Sequence, residues 1–462
     1  MCRPTVRVLY WLLVLAAASG ASAQTFVITD VTVINPRVRS VQSHRNVIVD
    51  GGRIRSILAA SSAATPRGAR LIDGKEKFLI PGLWDAHVHL TKIGVLSLSL
   101  FVVNGVTGVR DMGSDFSEVA QWRAQIDAGK LIGPHIKTSG QILESRANVE
   151  RMKREGTVEP VDRLRLGVGN PDEARAAVRQ LAAQGVDHIK MRSTPDVETF
   201  RAVADEAKRY HLPFAAHPVA LPEELLRTGL DSVEHFLAYP PLDGLTELQR
   251  RALFRQMVQA GMYLSNTMVN IDGLVSVSYA EGKRIVEDTA GKLDARRRYL
   301  CGYLMEDWRE QVEEGKDAPY DGFRKDLPNL YRDFREMREE GVHFLAGTDS
   351  GVLFIYPGFS LHDELEKLVQ DVGFTAMEAL RIATGGVAMF YGDTESFGAV
   401  KPGQAADLVL LDADPLADIR NTRRIAGVLL KGSWLDRTKL ELILRKVERS
   451  AQFDCGAGLI VK

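Results

Sequence analysis

The sequence predicts an α/β protein: a (β/α)8 barrel beside a small sheet domain built from both ends of the chain. Three observations predict it. Between residue 81 and about 390, apolar strand-like runs alternate with amphipathic stretches rich in Ala, Glu and Arg, the pattern of repeated βα units. The ligand-type polar residues fall at the C-terminal ends of those runs, where barrels of this kind carry their chemistry. Before residue 81 and after 391 the hydrophobic period shortens to that of strands. A doubly wound open sheet is the alternative, but it calls for a phosphate-type glycine loop, and the sequence has none.

The elements follow in order. Residues 1–23 read as a secretory signal: Arg3 and Arg7 precede the apolar run VLYWLLVLAAA, and Ala21-Ser22-Ala23 fits a cleavage site. The run is short for a membrane span, so the mature chain is expected to start near Gln24 and to be secreted or periplasmic. Residues 24–80 carry β patterns, with Asp50-Gly51-Gly52 as a hairpin signal. The barrel, 81–390, supplies eight strand candidates: LWDAHVH, GVTGVRDMG, PHIKTSG, VDHIKMR, LPFAAHP, LDSVEH, GMYLSNTM and VHFLAGTDS. Helical patterns at 171–184, 196–210 and 221–229 lie between several of them, and a last helix spans 374–390. The connection at about 267–340 is far longer than ordinary loops. It reads as a helical insertion at the barrel mouth, with Tyr299, Tyr303 and Trp308 suiting a lid that is wet outside and apolar inside; a subunit contact with no effect on the chemistry is the alternative. Residues 391–462 return to β patterns and join 24–80 in the composite domain.

Composition excludes some classes. The chain has 462 residues, 45% hydrophobic and 26% charged, with a net charge of −1. That balance is ordinary for a globular protein and gives no support for nucleic-acid or membrane-surface partners. Partners are expected to be a small-molecule substrate and a second copy of the chain, with no membrane attachment once the signal is removed. Of the three cysteines, Cys2 leaves with the signal. A Cys301–Cys455 bridge is not expected, and neither is a cysteine metal site.

His87 and His89 are two apart at the end of a strand, so both point to one face and can reach one metal ion. Asp85 shares their parity and could approach the metal or hold the adjoining loop. Further ligand types end other strands: Lys190 the fourth, His217 the fifth, His235 the sixth and Asp349 the eighth. Imidazole with carboxylate suits a borderline divalent ion such as zinc. Counting Lys190, six ligand-type residues from five strands exceed one tetrahedral site, so about two ions, zinc by preference, are expected, with a mononuclear site on His87, His89, His217 and Asp349 as the alternative. Lys190, as an ammonium, has no lone pair to offer and would instead neutralise buried carboxylates.

These residues carry a resemblance. The segments PGLWDAHVH, GVTGVRDMG, VDHIKM, FAAHP, SVEH, AGTDSG, LHDELEKLV, ALRIATGGVA and GAVKPGQAADLVLLDADPLADI resemble the amidohydrolase superfamily, in its imidazolonepropionase-like and prolidase-like branch. The resemblance implies a distorted (β/α)8 TIM barrel with a small β-sandwich formed by both termini. It assigns His87, His89 and Asp349 to one metal, His217 and His235 to the second, and a carboxylated Lys190 to both. It also implies a hydrolase of a C–N bond, amide or peptide-like, in which a hydroxide held by metal attacks the carbonyl and Asp349 serves as general acid and base. The substrate expected is a dipeptide or N-acyl amino acid. Ester, lactone or cyclic-amide hydrolysis on the same site is the alternative, as is a catalytically silent metal- or solute-binding protein.

Substrate contacts are expected from Arg192, which could clamp a carboxylate, from Tyr239 after the sixth strand, and from His188, which shares inward parity with Lys190. Arg110-Asp111 is expected to form a structural ion pair. His135 sits at the start of its strand, the wrong end for catalysis. The third-strand segment SGQILESRANVERMKREG lacks the Gly-Gly-His loop of many peptidase-like relatives, which weakens any transfer of dipeptidase specificity.

Overall fold

The protein is described by a computed structural model, covering residues 24–62, 65–156, 160–218, 226–235, 242, 244–317 and 321–453. The signal-like segment therefore lies outside the described residues, as do Tyr239, Cys455 and most of the expected 221–229 helix.

Strands from the two ends of the chain share one sheet. From the N-terminal side come β1 (Phe26–Asn35), β2 (Ser40–Asp50), β3 (Arg53–Ala59), β4 (Arg70–Asp73) and β5 (Phe78–Pro81). From the C-terminal side come β16 (Leu408–Leu411), β17 (Ile425–Leu430) and β18 (Ser433–Asp436). The order is β18-β17-β16-β5-β1-β2-β3, with β4 also on β1. The β2–β3 hairpin turns on Gly51 and Gly52, at φ +58° and +72°, a conformation that suits the right-handed twist of the strands and that glycine adopts without strain. Alternate side chains, among them Phe26, Ile28, Val33, Val47, Leu79, Leu408, Leu429 and Trp434, form this sheet's own buried cluster.

The central strands are parallel. One sheet runs β6 (Leu83–Val88), β7 (Val106–Asp111), β8 (His135–Thr138). The other runs β10-β9-β11-β12-β13-β14-β15: β9 is Ile142–Ser145, β10 Arg165–Val168, β11 Ile189–Met191, β12 Phe214–Ala216, β13 Ser232–Glu234, β14 Tyr263–Ser265 and β15 His343–Leu345. Backbone hydrogen bonds link the two sheets in two places. Ala86 N donates to Ala346 O at 2.7 Å and Asp349 N to His87 O at 2.8 Å, while Asp187 N donates to Thr138 O at 2.8 Å. Strands buried on both faces read as continuous apolar runs, and the largest core cluster gathers around them.

Local chemistry explains the helices that the sequence marked. Pro171–Gln184 begins with Asn170 capping the Asp172 and Glu173 amides, has Pro at its first turn, and ends at Gly185 in the left-handed region. Val197–Arg209 starts at the Asp196 cap. Other elements differ from expectation. The 374–390 helix is two, Ala376–Ile382 and Gly385–Phe390, because the Thr384-Gly385-Gly386 step breaks it where Gly385 closes on the Gly398 backbone. Short strands β9 and β10 occupy what reads as a loop. After β18 the chain forms a helix, Arg437–Phe453, whose Leu440, Ile443 and Val447 pack on Leu96, Leu100 and Val103. Cys301 belongs to the same cluster and is disulfide-bonded, which corrects the expectation of an unpaired thiol. Among the described residues, no helix is long and apolar enough to cross a membrane.

The insertion is helical: Met268–Ser276, Tyr279–Glu287, Gly302–Glu314 and Asp321–Glu340, with a short turn at Ala295–Tyr299. Trp308 is buried edge-on against Phe354 and Tyr356, Tyr299 stacks on Phe359, and Tyr303 remains half exposed.

Candidate metal centre

Five strand ends converge. His87 is the last residue but one of β6, and its carbonyl accepts from Asp349 N; His217 N donates to Met191 O, and His235 N to Ser265 O. Each ligand is thus pinned to its neighbouring strand. The approach is close: a side chain at Gly347 would put its Cβ 2.7 Å from both His87 Cβ and Ser265 Oγ. His235, Thr267 and Asp349 all carry positive φ, 55°, 47° and 62°. Each such residue stores about 1–3 kcal/mol of strain, and here the three neighbour one another.

The Asp349 carboxylate is the hub. Its Oδ1 lies 3.1 Å from His89 Nε2 and 3.5 Å from His87 Nε2, and its Oδ2 lies 3.5 Å from His235 Nε2. The His87 and His235 ring centroids are 4.3 Å apart, those of His217 and His235 5.0 Å. His87, His235 and Asp349 each present one ligand atom within 4.8 Å of the others. Lys190, buried at 1% exposure, lines the same cleft of about 980 Å³ together with His89, His217, His235 and Asp349.

The polar atoms here are left over by the fold. His87 Nε2, Asp349 Oδ1 and Lys190 Nζ are buried without a hydrogen-bond partner. Native interiors seldom leave such groups orphaned, and a bound cation would satisfy the imidazole nitrogen and the carboxylate oxygen. The protonation states agree. Burial holds His87 and His217 well below the usual imidazole range, helped by neighbouring His235 and Lys190, and brings His235 to about 4. Burial alone would raise Asp349, but the imidazoles of His235 and His87, with His89 against it, hold it well below the carboxylate range. Neutral imidazoles and an ionised carboxylate are the forms that ligate metal.

The sequence matches the amidohydrolase family over residues 78–435. The chain belongs to the amidohydrolase family. Membership makes it a hydrolase of carbon–nitrogen bonds by class. A solved "putative prolidase" from Bifidobacterium longum is 25% identical, with a TM-score of 0.68 over 92% of this chain and 99% of that one. A Xaa-Pro dipeptidase solved with methionine in its active site is 23% identical, TM-score 0.68, covering 89% and 100%. A "Putative adenine deaminase YerA" of Bacillus subtilis (strain 168) is 28% identical over 113 residues, which is 24% of this chain and only 19% of that protein.

This amidohydrolase brings six of its sequence-marked residues, His87, His89, Lys190, His217, His235 and Asp349, to one place. Arg192 also lines the cleft, half exposed, 3.7 Å from the buried Glu144 carboxylate. His188 does not join them. It is buried beneath the site, with Nδ1 2.9 Å from the Tyr391 hydroxyl and Nε2 3.2 Å from Met112 Sδ, which corrects its reading as a substrate contact. Asp85 takes the loop-holding role, accepting from Thr348 N, Thr348 Oγ1 and His87 N; burial pushes it up to about 7. Arg110 does not pair with Asp111. Its guanidinium binds Glu234 at 2.7 and 2.9 Å, while Asp111 accepts from Leu90 N, Ser114 Oγ and Thr138 Oγ1. His135 meets Asp407 at 2.9 Å, at the opposite end of its strand from the site.

Two residues escape a reading of the sequence alone. Glu234, fully buried, sits 2.7 Å from His87 Nδ1, the carboxylate–histidine contact that turns a ligand's other nitrogen toward a metal. Burial would raise its pKa, but Arg110 and Lys190 offset that and lower it. Its position directly before His235 in SVEH is a usable signal. Asn270, on the first helix of the insertion, donates to Asp349 Oδ2 at 2.8 Å.

Proposed function

We propose that the protein is a metal-dependent hydrolase that cleaves an amide or peptide-like C–N bond in a dipeptide or N-acyl amino acid. The observation that carries this reading is the convergence of one ligand atom each from His87, His235 and Asp349 within 4.8 Å of one another, at a cleft that Lys190 and His217 also line. His87, His89 and Asp349 would hold one divalent ion, His217 and His235 a second, and Lys190 as a carbamate both; zinc is the ion we assign. Bound there, the ions would polarise the substrate carbonyl and make water acidic near neutral pH.

The chain's own residues supply the rest. Asp349, kept ionised by its imidazole neighbours, takes a proton from water and returns it to the leaving nitrogen. Glu234 fixes the His87 ring, and Thr267 Oγ1, 2.7 Å from His235 Nδ1, fixes the other. Burial lowers the Lys190 pKa to about 7, which frees the amine lone pair that carboxylation by CO2 needs. Arg192 offers a guanidinium to a substrate carboxylate, and Ile142, Met152, Ile271, Leu274 and Val352 give the cleft apolar wall for a side chain. Tyr239 follows the His235 strand and is kept as a substrate contact on the sequence argument alone.

The wider organisation is read in the same sense. The two parallel sheets, bonded to each other in two places, are taken as a distorted (β/α)8 barrel spanning 81–390, and the composite sheet of 24–80 and 391–462 as a small β-sandwich. The insertion shapes the pocket, since Asn270, Ile271, Leu274, Asp307, Glu310 and Gln311 line it. Residues 1–23 would direct export, and the disulfide at Cys301 supports an oxidising compartment. The mature protein would act without nucleic-acid or membrane partners, with homo-oligomers allowed. A dipeptide and N-acyl-amino-acid library, screened with zinc-loaded protein alongside metal analysis, tests the proposal. About two ions per chain and C–N cleavage are expected; zinc binding without any amide turnover would remove it.

A further inference from the structure

Asp349 faces a geometric problem. Its two oxygens meet different partners, Oδ1 near His89 and His87 and Oδ2 near His235. Rotation about the last torsion of an aspartate is broad and two-fold. The two oxygens are equivalent, so what has to be fixed is the plane of the carboxylate, which the three imidazoles all meet through Nε2. Yet Oδ1 is left without a hydrogen bond, while Oδ2 accepts from Asn270 Nδ2 at 2.8 Å in a buried contact.

Asn270 is held through the backbone of its own helix turn. Its amide and that of Ile271 donate to Thr267 O, at 3.0 and 3.2 Å. The first turn of its helix is gripped from behind by Glu364, which accepts from Val269 N at 2.9 Å. Thr267, in the left-handed region at φ 47°, meets His235 Nδ1 through its hydroxyl. One four-residue turn at the start of the insertion therefore fixes both His235 and Asp349. An amide is well matched to this position, because it donates without adding a charge that would compete for a cation.

We infer that Asn270 is a positioning residue that fixes the plane of the Asp349 carboxylate, so that one oxygen is held beside His235 and the other is turned toward His87 and His89. The inference rests on the metal reading above. It makes the insertion part of the metal centre as well as a wall of the cleft.

A double-mutant cycle on the full-length protein tests it, with zinc as the probe, titrated into chelator-stripped protein against a competing indicator. Asn270→Leu keeps the size and removes the donor; Asn270→Ala serves if the leucine variant melts early. Loss of such an outer contact should weaken zinc by about tenfold. In an Asp349→Ala background the same substitution should cost nothing further, because the group it positions is gone. On any amide that the wild type cleaves, kcat should fall about 10- to 100-fold with KM within about threefold of wild type. Unchanged zinc affinity in Asn270→Leu, or an equal loss in both backgrounds, would overturn the inference. A rise in KM with kcat intact would overturn it too, since that marks a substrate contact. Zinc binding without amide turnover would overturn the proposed function instead, and the zinc cycle would still decide the role of Asn270.

Discussion

His87 and His362 are both buried imidazoles, yet they do opposite things with their second nitrogen. His362 has both occupied by protein: Nε2 meets the Asn104 carbonyl at 3.0 Å and Nδ1 the Thr422 hydroxyl at 2.9 Å. His188 is similar, closed by Tyr391 and Met112. His87 spends Nδ1 on Glu234 and has no hydrogen bond at Nε2. Burial lowers the pKa of all three, so depressed basicity does not separate a ligand from a structural histidine. The free nitrogen does, together with a carboxylate on the other side of the ring.

Predictions that test this contrast run from large effects to small. Asp349→Asn keeps the shape of the hub and removes the acid–base group, so kcat should fall by at least about 100-fold with a circular dichroism spectrum like that of wild type. Activity near wild type would dissolve the hub. Lys190→Ala should lower bound metal and cut turnover by about 10- to 100-fold or more, with partial rescue by small carboxylic acids in place of the carbamate. Full metal content by plasma emission would remove Lys190 from the site.

Glu234→Gln retains volume and a hydrogen-bonding group but loses the charge facing His87 and Arg110. Metal affinity should drop about tenfold in a competitive chelator assay, whereas His188→Gln, from the occupied class, should leave it unchanged. Equal losses in both would erase the distinction.

The last effect is one of pH, and it falls on stability rather than on metal affinity or turnover. His362 is held at about 4 in the fold by burial, below its ordinary value of 6.5. The folded state therefore resists protonation that the unfolded chain accepts. Its contribution is fully present above pH about 6.5 and declines as pH falls toward 4, by up to about 3 kcal/mol. Urea melts between pH 4 and 8 should show a shallower acid slope in His362→Gln. An unchanged slope would show that this histidine is not buried as a neutral ring.

How much of this is legible in the sequence follows from where the information sits. His87-x-His89 is readable because strand parity is local. So are the caps around Pro171–Gln184 and the composite sheet, both announced by short-range patterns. Arg110 misleads because its partner, Glu234, is 124 residues away, while the tempting Asp111 is adjacent; on a strand, neighbours point to opposite faces. Asn270 is hidden for the same reason, since its acceptor lies 79 residues on. The β9 and β10 strands are only four residues each, too short to show a period. The closing helix Arg437–Phe453 has a helical apolar spacing that the preceding β patterns obscure.

The shared sheet has a consequence for synthesis. β5 pairs along β16, and Asn35 donates to Val400, 365 residues further on. At roughly 5–20 residues per second, the first strands leave the ribosome roughly 20 to 70 seconds before that partner exists. Through that interval β5 exposes an unpaired edge, the kind of surface that recruits other chains. The metal centre, whose last ligand is Asp349, can be translated in full before the sheet is complete. A chain stalled or clipped shortly after Asp349 would thus carry every ligand identified here and still present an open β edge, and quality control would meet it as an aggregation hazard rather than as an inactive enzyme.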